Sequence, residues 1–270
     1  LIPQSVLVIG RTTLSRSINA FIKSSPITYV VDQRLATVDS DRQADRKFTE
    51  LPDLQGVIQS DEWIAKWNKV SERAQKLIGS LDGWNEAVIA RTIAATIPHD
   101  TALFVSSSRP IRDLEGFAHP RGGVHTYANR GLAGIDGNIS TALGVAYGHK
   151  ATIAVLGDLS FLHDLTGLVN KEAINCRFIV INNDGGGIFS TLPQRGVNGF
   201  ETVFGTPHGL NPAVIAQAMG VDAKQISSLK ELEAEIKAPI SGVSVVVCDV
   251  PDRESNADNL KKIVESLTSI

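Results

Sequence analysis

The fold is decided by residues 154–187, which read AVLGDLSFLHDLTGLVNKEAINCRFIVINNDGGG. Apolar runs at both ends of this stretch, separated by a segment with helical spacing, predict a strand–helix–strand unit with parallel strands. The first predicted strand ends at Gly157-Asp158, and the second ends at Asn182-Asn183, before an aspartate and three glycines. Ligands of open α/β sheets bind outside the carboxyl ends of the strands, so these residues predict a ligand site.

The alternation of strands and helices continues on both sides of this unit. We expect an α/β fold in which a parallel sheet is covered by helices on both faces. The strand SVLVIG near the start, the next strand ITYVVD and the late strand ISGVSVVVCDV follow the same pattern. Residues 109–117 (RPIRDLEGF) are predicted to be a loop, residues 162–173 a helix, and residues 40–59 polar and irregular.

The domain organisation follows from one amphipathic segment. Trp63, Trp67, Val70 and Leu77 recur at helical spacing, so residues 61–82 are predicted to form a linker helix. Residues 1–60 then form part of a Rossmann-like middle domain, and residues 83–270 form a second, larger domain. Because the sequence starts at Leu1 and reaches a buried-type strand almost at once, we expect it to be a piece of a longer polypeptide.

The composition and the net charge argue against nucleic-acid binding and against a membrane protein. The chain has 270 residues, 43% hydrophobic and 20% charged, which is typical of a globular protein. A net charge of −3 gives no electrostatic reason to bind nucleic acid, and no apolar run is long enough for a membrane helix. The two cysteines, Cys176 and Cys248, lie in apolar strands, and we interpret them as reduced core residues of a cytoplasmic protein.

The residues at the two strand ends suit a hard metal ion. If the strands are neighbours, they lie about 4.8 Å apart, and the side chains of Asp158 and Asn183 can converge. A carboxylate, an amide oxygen and the carbonyl of Gly185 favour Mg²⁺ over zinc, and diphosphate oxygens with a water would complete the six ligands. Free N–H groups at Leu159 and Ser160 suit a phosphate. The glycines 185–187 permit close approach of backbone to ligand.

This pair of motifs resembles the signature of thiamine-diphosphate enzymes, which is Gly-Asp-x-Ser followed by Asn-Asn at the end of the next strand. The resemblance implies that Asp158, Asn183 and the Gly185 carbonyl bind Mg²⁺ or Mn²⁺, and that Leu159 and Ser160 meet the diphosphate. Most family members carry Gly-Asp-Gly, whereas this chain has Gly-Asp-Leu at residues 157–159. That variant, with SSSRPIRD, NRGLAGIDGNISTALG and NNDGGGIFSTLP, is similar to the menaquinone-pathway branch of the family, the MenD synthases.

The resemblance also implies roles for individual residues. Arg112 and Arg130, with the hydroxyl of Ser108, would bind substrate carboxylates, since arginine pairs with carboxylates through two parallel hydrogen bonds. Ile135 would hold the cofactor bent, and Ile188 with Phe189 would form an apolar wall near the substrate. The implied cofactor-binding residues are Gly134, Ile135, Gly157, Asp158, Leu159, Ser160, Asn183, Gly185 and Gly186.

The reaction implied by the resemblance decarboxylates 2-oxoglutarate and adds the resulting carbanion to isochorismate. In the family an N-terminal domain supplies a glutamate that activates the cofactor, and no segment of this sequence matches it. We therefore expect the chain alone to be nearly inactive. The active sites of the family lie between two chains, which implies a homodimer or a tetramer formed through the thiamine-diphosphate domains.

Two other functions remain open from the sequence. One is another thiamine-diphosphate enzyme, of the acetolactate synthase or 2-oxoacid decarboxylase type, and the other is a non-enzymatic nucleotide-binding module. The GRTTLS turn after the first strand lacks the full Gly-x-Gly-x-x-Gly pattern that would favour the latter. None of the six histidines receives a catalytic role.

Overall fold

The chain forms two compact units, which comprise Leu1–Glu72 and Arg73–Ile270. The structure is a computed structural model and describes residues 1–10, 15–34, 44–55, 60–169 and 173–269.

The first unit contains a three-stranded parallel sheet. Helix α1 (Arg16–Lys23) follows the first strand and is capped by Ser15, whose Oγ accepts the Ile18 N–H at 3.3 Å. The third strand lies within the stretch predicted to be irregular, where it is a short, polar edge strand. Most of the GRTTLS turn lies outside the described residues. In sheet order the strands are β1 (Val6–Ile9), β2 (Thr28–Val31) and β3 (Arg46–Phe48).

The predicted amphipathic helix is present as α2 (Asp61–Ser80). In the first unit its apolar face carries Trp67, whose ring meets Phe21 edge-on with centroids 5.5 Å apart. Trp63 lies one turn earlier, and its ring centroid is 6.0 Å from that of Trp67. The spacing of the aromatic residues therefore predicted the helix, although no residue of α2 is fully buried.

The second unit is built on a six-stranded parallel sheet, which confirms the predicted fold class. Strands that are buried on both faces read as continuous apolar runs, and β6, β7 and β9 do so. In sheet order the strands are β5 (Val124–Tyr127), β4 (Thr101–Val105), β6 (Thr152–Gly157), β7 (Cys176–Asn182), β9 (Val243–Asp249) and β8 (Asp222–Ile226).

Two apolar cores cover the two faces of this sheet. Along β6, Ile153 and Val155 face one core, while Ala154 and Leu156 face the other. The first core contains helices α3 (Glu86–Thr96), α4 (Arg109–Phe117) and α8 (Leu229–Lys237). The second contains α5 (Asn138–Ala146), α6 (Asp158–His163) and α7 (Pro212–Ala218). Helix α9 (Arg253–Thr268) closes the chain.

The prediction of a loop over residues 109–117 is wrong, because these residues form α4. Pro110 and Gly116 are loop signals, but proline is compatible with the first turn of a helix. The buried positions are Pro110, Asp113 and Phe117, which do follow helical spacing. An acid in the middle of the inward face concealed that periodicity.

The helix predicted over residues 162–173 is also wrong in its bounds. Helix α6 already begins at Asp158 and ends at His163, and a short 3-10 turn, Leu165–Leu168, follows. Residues 170–172 lie outside the described residues. Strand β8 and helix α8 received no prediction, because the strand DAKQI is mostly polar and lies at the edge of the sheet.

At the amino-terminal edge of the sheet, two arginines bind the carbonyl ends of helices. Arg177, near the start of β7, donates to the carbonyls of Glu235, Ala238 (3.0 Å) and Pro239 (3.2 Å) at the end of α8. Arg121 donates in the same way to the Ala94 carbonyl (3.0 Å) and the Ile97 carbonyl (2.8 Å), at the end of α3. The last carbonyls of a helix have no partner within the helix, and these guanidinium groups supply one.

Both cysteines are free and fully buried, as the apolar strands around them predicted. Burial raises the pKa of the Cys176 thiol to about 12. Burial, with a smaller contribution from Asp249, also raises the pKa of Cys248. Among the described helices, none combines the length and the apolar character needed to cross a bilayer.

The strand order marks where a ligand is expected. The chain passes from β4 to β5 on one side and then returns to place β6 on the other side of β4. At such a reversal the loops after two neighbouring strands turn in opposite directions and leave a crevice at the carboxyl ends. The predicted site residues lie in the loops that follow β4, β5, β6 and β7.

Candidate cofactor site

Asp158 ends the central strand β6 and begins α6. Its side chain is buried, and both carboxylate oxygens accept hydrogen bonds from backbone N–H groups. Oδ1 accepts the N–H of Leu159 at 2.7 Å, while Oδ2 accepts the N–H of Gly185 at 2.8 Å. Strands β6 and β7 are paired, as the predicted convergence of the two strand ends requires. Asp158 therefore reaches the loop that carries Asn183.

Asn183 is the residue directly after β7, and it is only 7% exposed. Its Nδ2 donates to Glu86 Oε1 at 2.5 Å. Its Oδ1 is buried and has no hydrogen-bond partner among the described residues. A buried polar oxygen without a partner is costly, and it implies a group that completes it. An amide oxygen at the end of β7, with the buried carboxylate of Asp158 at the end of the neighbouring strand β6, suits the ligand preference of a hard divalent cation.

The glycine run permits a close backbone contact. Gly185 has φ +130°, and a Cβ there would lie 2.2 Å from the Gly205 carbonyl oxygen. A Cβ on Gly186 would lie 2.1 Å from the Phe204 carbonyl oxygen. The Gly186 N–H donates to the Gly205 carbonyl at 2.7 Å. The segment Glu201–Gly205, one turn of π-helix, therefore packs directly against Gly185 and Gly186.

His208 is a site residue that the sequence did not reveal. Its Nε2 lies 3.2 Å from Asp158 Oδ2, and its Nδ1 accepts the Leu210 N–H at 3.0 Å. Because Nδ1 is an acceptor, the ring proton is assigned to Nε2, which donates to Asp158. Its backbone N–H donates to Asp184 Oδ1 at 3.0 Å. The hydrogen bond to Asp158 raises the pKa of His208, and burial opposes that rise.

A second set of buried charges lies behind Asn183. Glu86, the first residue of α3, is 6% exposed and pairs with Arg109 Nε at 3.3 Å. Arg109 also pairs with Asp113, so one cation serves two buried acids. Burial raises the pKa of Asp113 to about 7, with the Arg109 charge opposing the rise and the Glu86 charge adding to it. Nothing in the sequence near Asn183 could have indicated this cluster.

A cavity of about 30 Å³ lies within this cluster. Glu86, Arg109 and Asp113 line it together with Gly157 and Asn183. The two strand-end motifs and the buried acids therefore share one wall.

The turn after β5 is fastened to the same region. The side chain of Asn138 donates to the Ile135 carbonyl at 2.7 Å and reaches the Gly134 carbonyl at 3.4 Å. The hydroxyl of Ser160, in α6, donates to the Ile135 carbonyl at 3.0 Å. Ile135 and Ser160, which are 25 residues apart in sequence, are therefore brought together.

The predicted substrate residues follow the carboxyl ends of strands β4, β5 and β7. Arg130 reaches from the β5 loop to Ser107 Oγ in the β4 loop at 3.4 Å. Arg112 donates to the Ser108 carbonyl at 2.7 Å and is thereby anchored within α4. Phe189 contacts Phe204 with ring centroids 5.3 Å apart, and both Ile188 and Phe189 are half-buried. The structure thus joins the loop that carries Arg130 to Ser107, which lies just before the helix that carries Arg112.

Comparison with known protein families matches residues 114–250 to the C-terminal TPP-binding domain of thiamine pyrophosphate enzymes. The chain belongs to this family of thiamine-diphosphate-dependent enzymes. The non-enzymatic nucleotide-binding module is therefore set aside.

Curated relatives carry the name 2-succinyl-5-enolpyruvyl-6-hydroxy-3-cyclohexene-1-carboxylate synthase. The protein of Thermobifida fusca (strain YX) is 36% identical over 242 residues, which cover 85% of this chain and 44% of the relative. The protein of Bacillus cytotoxicus is 31% identical and covers 97% of this chain and 48% of its own length. The protein of Synechococcus sp. (strain JA-3-3Ab) is 32% identical, with 94% and 45% covered. The chain spans about half the length of these relatives.

Proposed function

We propose that this chain is the C-terminal part of a thiamine-diphosphate- and Mg²⁺-dependent 2-succinyl-5-enolpyruvyl-6-hydroxy-3-cyclohexene-1-carboxylate synthase. That enzyme would decarboxylate 2-oxoglutarate and add the resulting carbon nucleophile to isochorismate. One observation carries the proposal: in a chain similar to such synthases, Asp158 and the unpartnered Asn183 Oδ1 follow neighbouring strands. Residues 83–270 would be the diphosphate-binding domain, and residues 1–60 part of the middle domain.

Asp158, Asn183 Oδ1 and the Gly185 carbonyl would hold Mg²⁺ or Mn²⁺ on the diphosphate. When bound, thiamine diphosphate supplies the carbon that accepts the electron pair released on decarboxylation. Gly157, where an added Cβ would meet nothing within 4 Å, would leave room for the diphosphate, and Gly186 would let the cofactor loop pack against the Phe204 carbonyl. Leu159, Ser160 and the Gly134–Ile135 turn would contact the cofactor. The Ser160 hydroxyl supports this indirectly, since it fixes the Ile135 carbonyl.

Arg112 and Arg130 would orient the substrate carboxylates, with Ser108 as an additional donor. Their planar guanidinium groups bind carboxylates at two points, which fixes a polycarboxylate in one orientation. Ile188 and Phe189 would exclude water from one side of the substrate. A homodimer or tetramer in the cytoplasm, and the inactivity of the isolated chain, belong to the same proposal.

Calorimetry with thiamine diphosphate and Mg²⁺ tests the metal site. Asp158→Ala removes the charged ligand, so we expect the binding heat of the wild-type chain to be lost. Glu233→Ala is the matched control, because Glu233 is an exposed acid on α8 that pairs with Lys237 at 2.9 Å. Equal heats for the wild type and Asp158→Ala would remove Asp158 from the site.

The choice of substrate is tested separately, with the complete enzyme. Turnover of 2-oxoglutarate over pyruvate is expected, because two arginines, Arg112 on α4 and Arg130 on the loop after β5, suit a dicarboxylate. A preference for pyruvate would contradict the synthase assignment and favour an acetolactate synthase or a 2-oxoacid decarboxylase.

A further inference from the structure

The amide of Asn183 can serve a metal ion only in one of its two orientations. Rotating the amide by half a turn exchanges an oxygen acceptor for an NH₂ donor, and the two orientations have nearly the same shape. A donor pointed at a cation would repel it. Whatever fixes the amide therefore decides whether Asn183 can be a ligand.

Glu86 fixes this orientation by chemistry rather than by shape. An ionised carboxylate only accepts hydrogen bonds, so the Asn183 atom 2.5 Å from Glu86 Oε1 must be the nitrogen. The amide oxygen then points to the other side, where it has no partner among the described residues. Arg109 Nε donates to Glu86 Oε2 at 3.3 Å, so both oxygens of Glu86 act as acceptors in the structure.

Glu86 is itself held in place. Arg109 binds it from α4, and Asp113, one turn further along α4, holds the other end of the guanidinium group. The side chains of Arg109, Glu86 and Asp113 are 12%, 6% and 6% exposed. Water competes little for these contacts, so the carboxylate has few alternatives to the Asn183 amide.

We propose that Glu86, anchored by Arg109, is a positioning residue that turns the oxygen of Asn183 toward the metal ion. This inference rests on the proposed function, because it takes Asn183 as a metal ligand. It adds to that proposal a residue that lies 97 positions away in sequence and would not touch the ion.

Glu86→Gln reverses the hydrogen bond without changing the shape of the side chain. Arg109 donates to this position, so the oxygen of the introduced amide must face Arg109 and its nitrogen must face Asn183. Asn183 then has to present its oxygen to Glu86→Gln and its nitrogen to the metal. We expect Mn²⁺ affinity to fall by about 10- to 100-fold, the usual effect of losing a residue that orients a metal ligand.

Asp113→Asn, measured at pH 8 and so above the Asp113 pKa of about 7, is the matched control. It removes a carboxylate charge from the same arginine and leaves an amide oxygen that can still accept from Arg109, but it does not touch Asn183. A loss of general negative potential would weaken Mn²⁺ binding equally in both variants, whereas orientation predicts a loss in Glu86→Gln alone.

The double variant Glu86→Gln/Asn183→Asp provides a rescue. A carboxylate at position 183 accepts from the introduced amide with one oxygen and offers the other to the metal. We expect its Mn²⁺ affinity to return to within about threefold of the wild type. In the double variant the amide NH₂ at position 86 has an acceptor again, so this variant should fold even if Glu86→Gln alone does not. Its Mn²⁺ affinity then still tests the inference.

The measurement is an electron paramagnetic resonance titration of Mn²⁺ with thiamine diphosphate and the full chain, alongside thermal unfolding without metal. Equal losses in Glu86→Gln and Asp113→Asn would overturn the inference, and so would a double variant that binds as weakly as Asp158→Ala. A wild-type chain that binds no Mn²⁺ would instead overturn the proposed function, and the inference with it.

Discussion

Arg109 and Arg177 are both largely buried, but they lie at opposite edges of the same sheet and in opposite surroundings. Arg109, after β4 at the carboxyl edge, binds two carboxylates. Arg177, at the start of β7 on the amino edge, binds the carbonyls at the end of α8, with Ser244 Oγ 3.3 Å from its Nε. A buried arginine at one edge is part of a charged site, whereas at the other it completes a helix end.

The difference follows from the direction of the helices. In a parallel sheet each connecting helix runs back, so its carbonyl end lies at the amino edge of the strands and its N–H end at the carboxyl edge. Arginine at the amino edge meets unpaired carbonyls and can satisfy them all. At the carboxyl edge the helices bring donors, and the acidic side chains and the Asn183 oxygen remain available for a cation.

The largest effect expected from this comparison is on stability. Arg177→Met removes the donor to three partly buried carbonyls at the end of α8, which should lower the free energy of unfolding by about 3 kcal/mol, at roughly 1 kcal/mol for each hydrogen bond. The melting temperature of the second unit should fall by roughly 6–12 °C. Thermal unfolding followed by circular dichroism measures this. Mn²⁺ binding at low temperature should be unchanged, and a loss of binding would mean that the two edges are not independent.

A smaller change in stability is expected when the pH is varied, because Asp113 titrates. Burial raises the pKa of Asp113 from 3.8 to about 7, so the folded chain holds a proton that the unfolded chain has released. Stability is therefore lost as pH rises from about 4 to about 7. Asp113→Asn cannot ionise, and its melting temperature should gain a few degrees on the wild type between pH 5 and pH 8.

Asp252→Asn is the control for that pH series. The Ser255 N–H, 2.8 Å from the Asp252 carboxylate, lowers the pKa of Asp252 from 3.8, so its titration lies below the measured range. Its difference from the wild type should stay constant between pH 5 and pH 8. If the difference between Asp113→Asn and the wild type also stayed constant, Asp113 would not titrate in the folded chain within this pH range, contrary to its raised pKa.

The smallest effect concerns His208, which shares Asp158 with the metal ion. A cation bound at Asp158 Oδ2 competes with the hydrogen bond from His208, so His208→Leu should bind Mn²⁺ about fivefold more tightly, the equivalent of one hydrogen bond of ~1 kcal/mol. His163→Leu is the control, since His163 pairs with the exposed Asp136 at 3.0 Å. Weaker binding by His208→Leu would show that His208 assists the ion instead.

The sequence predicted those parts of the molecule that depend on local pattern. Continuous apolar runs predicted the parallel strands, and the residues at the ends of β6 and β7 predicted where a site would lie. The helix α4 was missed because Asp113 interrupts its apolar face, and that acid is buried only because Arg109 pairs with it. The bounds of α6 were missed because the helix begins within the motif itself.

The remaining site residues depend on contacts between distant parts of the chain. Glu86 lies at the start of a mostly buried, apolar helix, and His208 lies in a loop whose sequence gives no partner. Each acquires its role through a residue at least 50 positions away, Asn183 for one and Asp158 for the other. Local periodicity carries no information about such pairs, which appear only once the sheet has been assembled.

The burial of both thiols has a practical consequence for spectroscopy. A thiol reacts with maleimide or methanethiosulfonate reagents as the thiolate, and at Cys176 and Cys248 burial suppresses both access and ionisation. The native cysteines are therefore expected to react very slowly with such reagents. A single surface cysteine, introduced on the loop that carries His208, could receive a spin label or a fluorophore without first replacing the native pair.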